Sequence, residues 1–286
     1  MAQHAPAIIL CIILVLTVHT APGVRGLKPG SCLNCQKIVM NEYPKSIDDE
    51  FKGCKSKIYQ GIKSGNLEKE LQNNFNFRST WEKAKYELYL DHKKNYQLTN
   101  DDLRKIAVRA YTLNIYGELN NKMRNGLCDY RTKFGLISLQ FLITDAIQAL
   151  NPQGKCETTY RFSKDRFEIK GKFVRFGSFT SSTRNPKLSG FGRETCFVIR
   201  TCHGANIAPM SAYAGESEVL IPPYERFIKK PLPLSFLKFY KALKDCGTIL
   251  RLESVGKWGT LLSWAESHED AATPKAIHFF MNREEF

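Results

Sequence analysis

Glu216 and Glu218 stand two residues apart, directly ahead of the apolar run Val219-Leu220-Ile221-Pro222-Pro223. Side chains of an extended strand alternate faces, so such a pair shares one side. Two carboxylates at the entrance of a buried strand are costly unless something positive approaches them. The chain offers a cation at Arg161, inside the apolar stretch Thr159-Tyr160-Arg161, and a hydroxyl cluster at Phe179-Thr180-Ser181-Ser182-Thr183. Each feature alone has a plain structural reading, because arginines are mostly exposed and Ser and Thr dominate polar turns. Together they suit a substrate on which positive charge sits or develops.

The motifs of other chemistries are missing. The sequence has no H-E-x-x-H, no G-x-S-x-G and no Walker loop. Gly190-Phe191-Gly192 begins like a dinucleotide fingerprint, but Thr195 stands where the third glycine belongs, and no βαβ pattern surrounds it. His268-Glu269-Asp270 reads as a solvated turn, and His203 beside Cys202 as local structure rather than a nucleophile's base.

The elements that must position these residues fall into two halves. Ser79 with Glu82 reads as a capping box, followed at helical spacing by Trp81, Ala84 and Leu88. Thr99 with Asp102 marks a second helix start, and Leu103, Ile106, Ala107, Ala110 and Tyr111 form one apolar face. A third helix is predicted over 134–150, stopped by Asn151-Pro152. After Gly154 the pattern changes to short runs rich in β-branched and aromatic residues at 158–162, 172–176, 196–201 and 218–222. One further helix is predicted over 233–244. Helices first and strands later indicate an α+β fold in one domain. A hydrophobic fraction of 43% supplies a core for such a domain.

In order and spacing, the set resembles the arginine-specific ecto-ADP-ribosyltransferases of vertebrates, with their R-S-E-x-E signature. Arg161 matches the first element, Ser181-Ser182-Thr183 the second and Glu216-Ser217-Glu218 the third. Ser46-Ile47-Asp48-Asp49-Glu50-Phe51-Lys52-Gly53-Cys54 is similar to the family's start. Ala110-Tyr111-Thr112, Val174-Arg175-Phe176-Gly177 and Thr201-Cys202-His203-Gly204-Ala205 are also similar, so the likeness runs over 46–246.

The resemblance implies a helical half packed on a split, mixed or antiparallel β core. It implies an NAD-dependent protein-arginine ADP-ribosyltransferase, with NAD as co-substrate, no metal, and arginine-bearing proteins as targets. Glu218 would stabilise the cationic ribose centre and hold a ribose hydroxyl, and Ser181 would orient Glu218. Arg161 would bind the pyrophosphate side of NAD, and Glu216 would accept and help deprotonate the incoming arginine. Tyr111, Ser178 and Ser211 fall at positions that would meet NAD, and Tyr213 at one that would meet the target. The resemblance also implies disulfides Cys54–Cys246 and Cys156–Cys202. Cys128 with Cys196 is a third candidate pair, for which no motif speaks.

Residues 7–18 are apolar apart from Thr17, the length of a signal-peptide core, and small residues follow. The expected layout is a signal peptide at 1–26, an N-terminal extension at 27–45 and the catalytic domain at 46–286. Eight cysteines follow Cys11, an even number that fits disulfides in an exported chain. Cys32-x-x-Cys35 has no second half for a zinc site and reads as structural or unpaired. The polar C-terminus lacks a lipid-anchor signal, so a secreted protein without a membrane anchor is expected. The net charge of +14 draws anions, with anionic surfaces among the candidate partners. No specific nucleic-acid partner is expected.

Relatives usually carry glycine directly after the catalytic arginine, whereas this chain has Phe162. That departure keeps two alternatives open: NAD glycohydrolysis, and a catalytically impaired, basic secreted binding protein of the same fold.

Overall fold

The computed structural model describes residues 37–88, 98–188, 190–233 and 241–259. The signal segment 1–26, Cys32, Cys35, most of 233–244, and His268-Glu269-Asp270 with the polar C-terminus lie outside the described residues.

The first half is helical: α1 (Lys55–Lys63), α2 (Asn66–Asn73), α3 (Phe75–Glu87), α4 (Asn100–Ala110), α5 (Tyr116–Asn125) and α6 (Ile137–Leu150). Thr99 and Asp102 form the predicted reciprocal cap on α4. The other predicted capping box does not form. Helix α3 starts earlier, at Phe75, where the Asn74 side chain accepts the Phe77 N–H at 2.9 Å and leaves Ser79 inside the helix. Helix α6 begins at Ile137 rather than 134, because Gly135 takes a left-handed φ of 64°. Its N-terminus is capped from α2: the Ser138 N–H donates to Glu70 at 3.0 Å and the Ser138 hydroxyl at 2.9 Å. α6 is buried on nearly all sides and forms the axis of this half.

Helix α4 passes into α5 through one π-helical segment, Tyr111–Ile115. Its wider turn rotates α5 about the helix axis, and such segments often lie beside functional sites.

The second half holds β2 (Glu157–Ser163), β3 (Arg166–Ile169), β4 (Phe173–Val174), β5 (Thr180–Thr183), β6 (Thr195–Thr201), β7 (Ala205–Asn206), β8 (Glu218–Ile221), β9 (Glu225–Lys230) and β10 (Thr248–Lys257). Eight of these form a sheet in the order β4-β9-β10-β6-β2-β5-β8-β7. Among its described strand pairs, only β6 and β10 run parallel. One face packs on the helices through Phe179, Ile207 and Leu220. The other buries Phe197, Ile199, Phe227 and Leu252 beneath a ribbon in which β1 (Lys37–Met40) pairs in parallel with β3. Met40 is part of that core, so residues read from sequence as an extension contribute to the fold.

Strand β4 is shorter than the predicted 172–176 because Arg175 leaves the ladder. Its N–H donates to Asn41 O at 2.9 Å. Its fully buried guanidinium pairs with Asp48 and donates to the carbonyls of Glu42, Tyr43 and Trp258. The likeness at 46–54 and that at 174–177 therefore meet in one structural device, a buried ion pair that ties the segment around Asp48 to the sheet. Further along the chain, Lys241–Leu243 is a single 3-10 turn.

Cys156 bridges Cys202 and Cys196 bridges Cys246. The second bridge corrects the expected Cys54–Cys246 and Cys128–Cys196 pairings. Thr195 and Thr248 are partners in the parallel β6–β10 ladder, which brings Cys246 to Cys196. Closing a loop over a separation of 50 residues restricts the unfolded chain and stabilises the fold by about 4 kcal/mol.

Candidate active site

Arg161, Ser181 and Glu218 lie on three neighbouring strands, β2, β5 and β8. The register aligns Tyr160 with Thr183 and Thr183 with Glu218. Adjacent strands are about 4.8 Å apart, so side chains at these positions share one neighbourhood. Strand β2 pairs with β6 along seven positions but with β5 only at Tyr160–Thr183. Beyond that pair the sheet splits. The Ser181 carbonyl then has no ladder partner on β2 and accepts Arg161 Nη1 at 2.8 Å.

A cavity of about 540 Å³ opens at the split. Arg161, Ser181, Glu216 and Glu218 all line it. The two glutamates do not share a face by strand alternation, as their spacing predicts. Glu216 ends the 3-10 turn Ala214–Glu216, and Ser217 takes a left-handed φ of 49° before β8 begins at Glu218. The left-handed residue re-aims the chain so that both carboxyl groups reach one cavity, at a cost of about 1–2 kcal/mol. Thr183 Oγ1 donates to Glu216 O at 2.6 Å and the Arg184 N–H to Ser217 O at 3.2 Å, which holds this turn in place.

Glu218 is only 5% exposed. Burial pushes its carboxyl pKa up. Hydrogen bonds from Ser181 and Ser211 pull it down, Glu216 pushes it up, and Arg161 pulls it down. Ser211 Oγ donates to Glu218 Oε2 at 3.2 Å, and the Tyr213 N–H donates to Ser211 Oγ at 3.0 Å. Arg161 is itself pressed below the usual guanidinium pKa by burial, while Tyr111 and Glu218 pull it up.

The remaining predicted NAD contacts sit behind the cavity wall. Tyr111 is buried, with its hydroxyl held by Asn120 Nδ2 at 3.0 Å and within hydrogen-bonding reach of Ser181. Burial pushes its pKa up to about 12. Ser178 is fully buried and donates to Phe179 O at 3.3 Å, so it does not line the cavity. Tyr213 is exposed on the loop ahead of the glutamates.

Phe162 packs with Tyr160, Cys196, Val198 and Leu243, on the strand face opposite Arg161, and the Arg193 guanidinium lies 5.2 Å from its ring centre. It also lines the cavity.

Sequence reasoning missed the opposite rim, formed by Lys164, Asp165, Leu188, Gly190, Phe191 and Gly192. The signal was the rejected Gly-x-Gly. Gly190 and Gly192 both take left-handed φ, and a Cβ at Gly192 would meet the Lys164 backbone at 2.6 Å. The glycines let this loop close against the end of β2.

Residues 40–232 match the model of the NAD:arginine ADP-ribosyltransferase family. The chain belongs to that family. It is 36% identical over 208 residues to NAD(P)(+)--arginine ADP-ribosyltransferase 2 of Gallus gallus, covering 66% of this chain and 64% of the relative. It thus spans just under two thirds of that relative's length. It is 32% identical over 241 residues to ecto-ADP-ribosyltransferase 5 of Bos taurus, covering 78% of this chain and 75% of the relative. Among solved structures it is similar to the eucaryotic mono-ADP-ribosyltransferase ART2.2, with a TM-score of 0.63 at 26% identity, covering 78% of this chain and 96% of the other. A mutant of that enzyme in complex with NADH superposes with a TM-score of 0.65 at 26% identity, over 78% of this chain and 96% of that one. No helix among the described residues is long and apolar enough to cross a membrane.

Proposed function

We propose that this protein transfers ADP-ribose from NAD to arginine side chains of target proteins, with release of nicotinamide. The observation that carries this reading is the buried Glu218 carboxyl, held by the Ser211 hydroxyl and opening with Ser181, Glu216 and Arg161 onto one cavity.

The donor set fits NAD. A planar guanidinium at Arg161 matches phosphate oxygens. The Glu218 carboxylate faces the ribose carbon on which positive charge grows as the glycosidic C–N bond breaks and nicotinamide departs with the bonding electrons. Ser181 and Ser211 keep that carboxylate ionised and aimed. Glu216, on the rim, takes a proton from the guanidinium of the target as its nitrogen bonds to the same carbon. Tyr213, exposed beside Glu216, meets the target protein. Ser178 and Tyr111 serve by supporting β5 and Ser181 rather than by touching NAD. The apolar run at 7–18 and the two disulfides among the described residues support an exported protein.

The test incubates the purified protein with NAD labelled in its adenosine half and an arginine analogue. A labelled adduct supports transfer. Free ADP-ribose alone would make the protein a glycohydrolase, and no turnover would leave a binding protein on this fold. In the Glu216→Gln variant the adduct should vanish while hydrolysis of NAD remains. Persistent transfer in that variant would refute the role of Glu216.

A further inference from the structure

The wall behind the cavity is gripped from the helical half at two consecutive backbone groups. Arg109, in the last turn of α4, donates from Nη1 to Ser211 O at 2.6 Å. Thr112, three residues on and inside the π-helical segment, accepts the Ala212 N–H on Oγ1 at 2.9 Å. Neither side chain is free to swing. Arg109 Nε donates to Glu87 of α3 at 2.8 Å, and Thr112 Oγ1 donates to Arg109 O at 3.0 Å. Ser211 is 1% exposed, and its hydroxyl ends on Glu218. A chain of hydrogen bonds therefore runs from Glu87 through Arg109 and Ser211 to the Glu218 carboxyl.

We propose that Arg109, braced by Glu87 and paired with Thr112, is a positioning residue that sets the aim of Ser211 on Glu218. The inference rests on the transferase reading for its kinetic consequence, but the grip itself is independent of activity. Arginine suits the task because its rigid fork reaches a carboxylate and a carbonyl at once, whereas the point charge of lysine cannot span both. The π-helical turn supplies the second jaw by bringing Thr112 to the residue next to Ser211. With the grip released, Ser211 no longer stabilises the charged carboxyl. Glu218 then keeps only Ser181 and Arg161 as favourable neighbours, against burial and the charge of Glu216. Tyr111, the remaining titratable group facing Glu218, stays neutral near pH 7, since its pKa is about 12.

Arg109→Lys, Glu87→Gln and Thr112→Val test this together. In Arg109→Lys and Thr112→Val, kcat for NAD turnover should fall roughly tenfold, with KM for NAD within about threefold of the parent. The acid limb of the kcat/KM profile should move to higher pH, and Thr112→Ser, which keeps the hydroxyl, should restore both. Glu87→Gln should give a smaller effect in the same direction. A rise in KM with an unmoved acid limb would show that the grip merely stabilises the loop, and parental kinetics in all variants would show that it does nothing. Amide hydrogen exchange is the readout that needs no turnover. The Ala212 amide should exchange at least about tenfold faster in Arg109→Lys and Thr112→Val, and unchanged protection would overturn the inference. If the parent itself turns over no NAD, the transferase reading fails while the exchange result still judges the grip.

Discussion

The Ser211 hydroxyl donates at 3.2 Å to the carboxyl of Glu218, seven positions further on, across a loop that also carries Tyr213 and Glu216. The loop that meets solvent and the carboxylate at the back of the cavity are thus mechanically joined. Burial favours a protonated Glu218, and the hydroxyls of Ser181 and Ser211 oppose it. The proposed transfer needs the ionised form.

Ser211→Ala should therefore raise the Glu218 pKa further. Activity that depends on the carboxylate is present above that pKa and lost as pH falls through it. The acid limb of kcat/KM should move upward by about one pH unit. A pH–rate profile identical to the parent would show that the contact does not tune the carboxyl.

Phe162 tests whether the departure from glycine impairs the site. Its ring packs on the face opposite Arg161. Phe162→Ala should cost about 3–5 kcal/mol of stability, measured by urea unfolding, without raising NAD turnover. A large gain in turnover would mean that the ring blocks the substrate.

Much of the cavity lining was readable because its residue types are rare in combination and keep a fixed order. Arg161, Ser181, Glu216 and Glu218 could be named without knowing the sheet. The unreadable part was set by tertiary register. Cys246 finds Cys196 only because β6 and β10 lie parallel, and no local signal announces that pairing. Ser79 resembles a cap, but Asn74 offers one a turn earlier, and the buried Phe77 and Trp81 set which start wins. The glutamate pair reaches one cavity through a left-handed Ser217 rather than by strand alternation, so the two come together by a geometry that their spacing does not predict. Ser178 shows the converse: a position in the likeness whose side chain is sealed inside the fold.

The Asp48–Arg175 pair is fully buried and holds the N-terminal segment on the sheet. Asp48→Ala leaves a guanidinium with carbonyl partners but no countercharge. It should cost about 3–5 kcal/mol in urea unfolding, and replacing Arg175 by Met in the same chain should recover part of that loss. A double variant no more stable than the single one would contradict the account.

Glu70 makes stability depend on pH. Burial raises its carboxyl to about 7 from 4.5, although Ser138 and Ile137 hydrogen bonds pull it down. The folded state holds this proton more tightly than the unfolded chain. Its contribution is thus fully present below pH 4.5 and is lost as pH rises through 7. Glu70→Gln, which keeps an acceptor for Ser138, should remove this dependence. The variant should gain on the parent between pH 5 and pH 8, as read from urea midpoints. An equal difference at both values would show that Glu70 does not titrate in that window.

The most direct test of the central claim is single-turnover cleavage of labelled NAD by Glu218→Gln, which keeps the shape and removes the charge. Nicotinamide release should fall by at least about a hundredfold, with NAD binding retained. Release within a few-fold of the parent would mean that the Glu218 carboxylate does not stabilise the departing sugar centre.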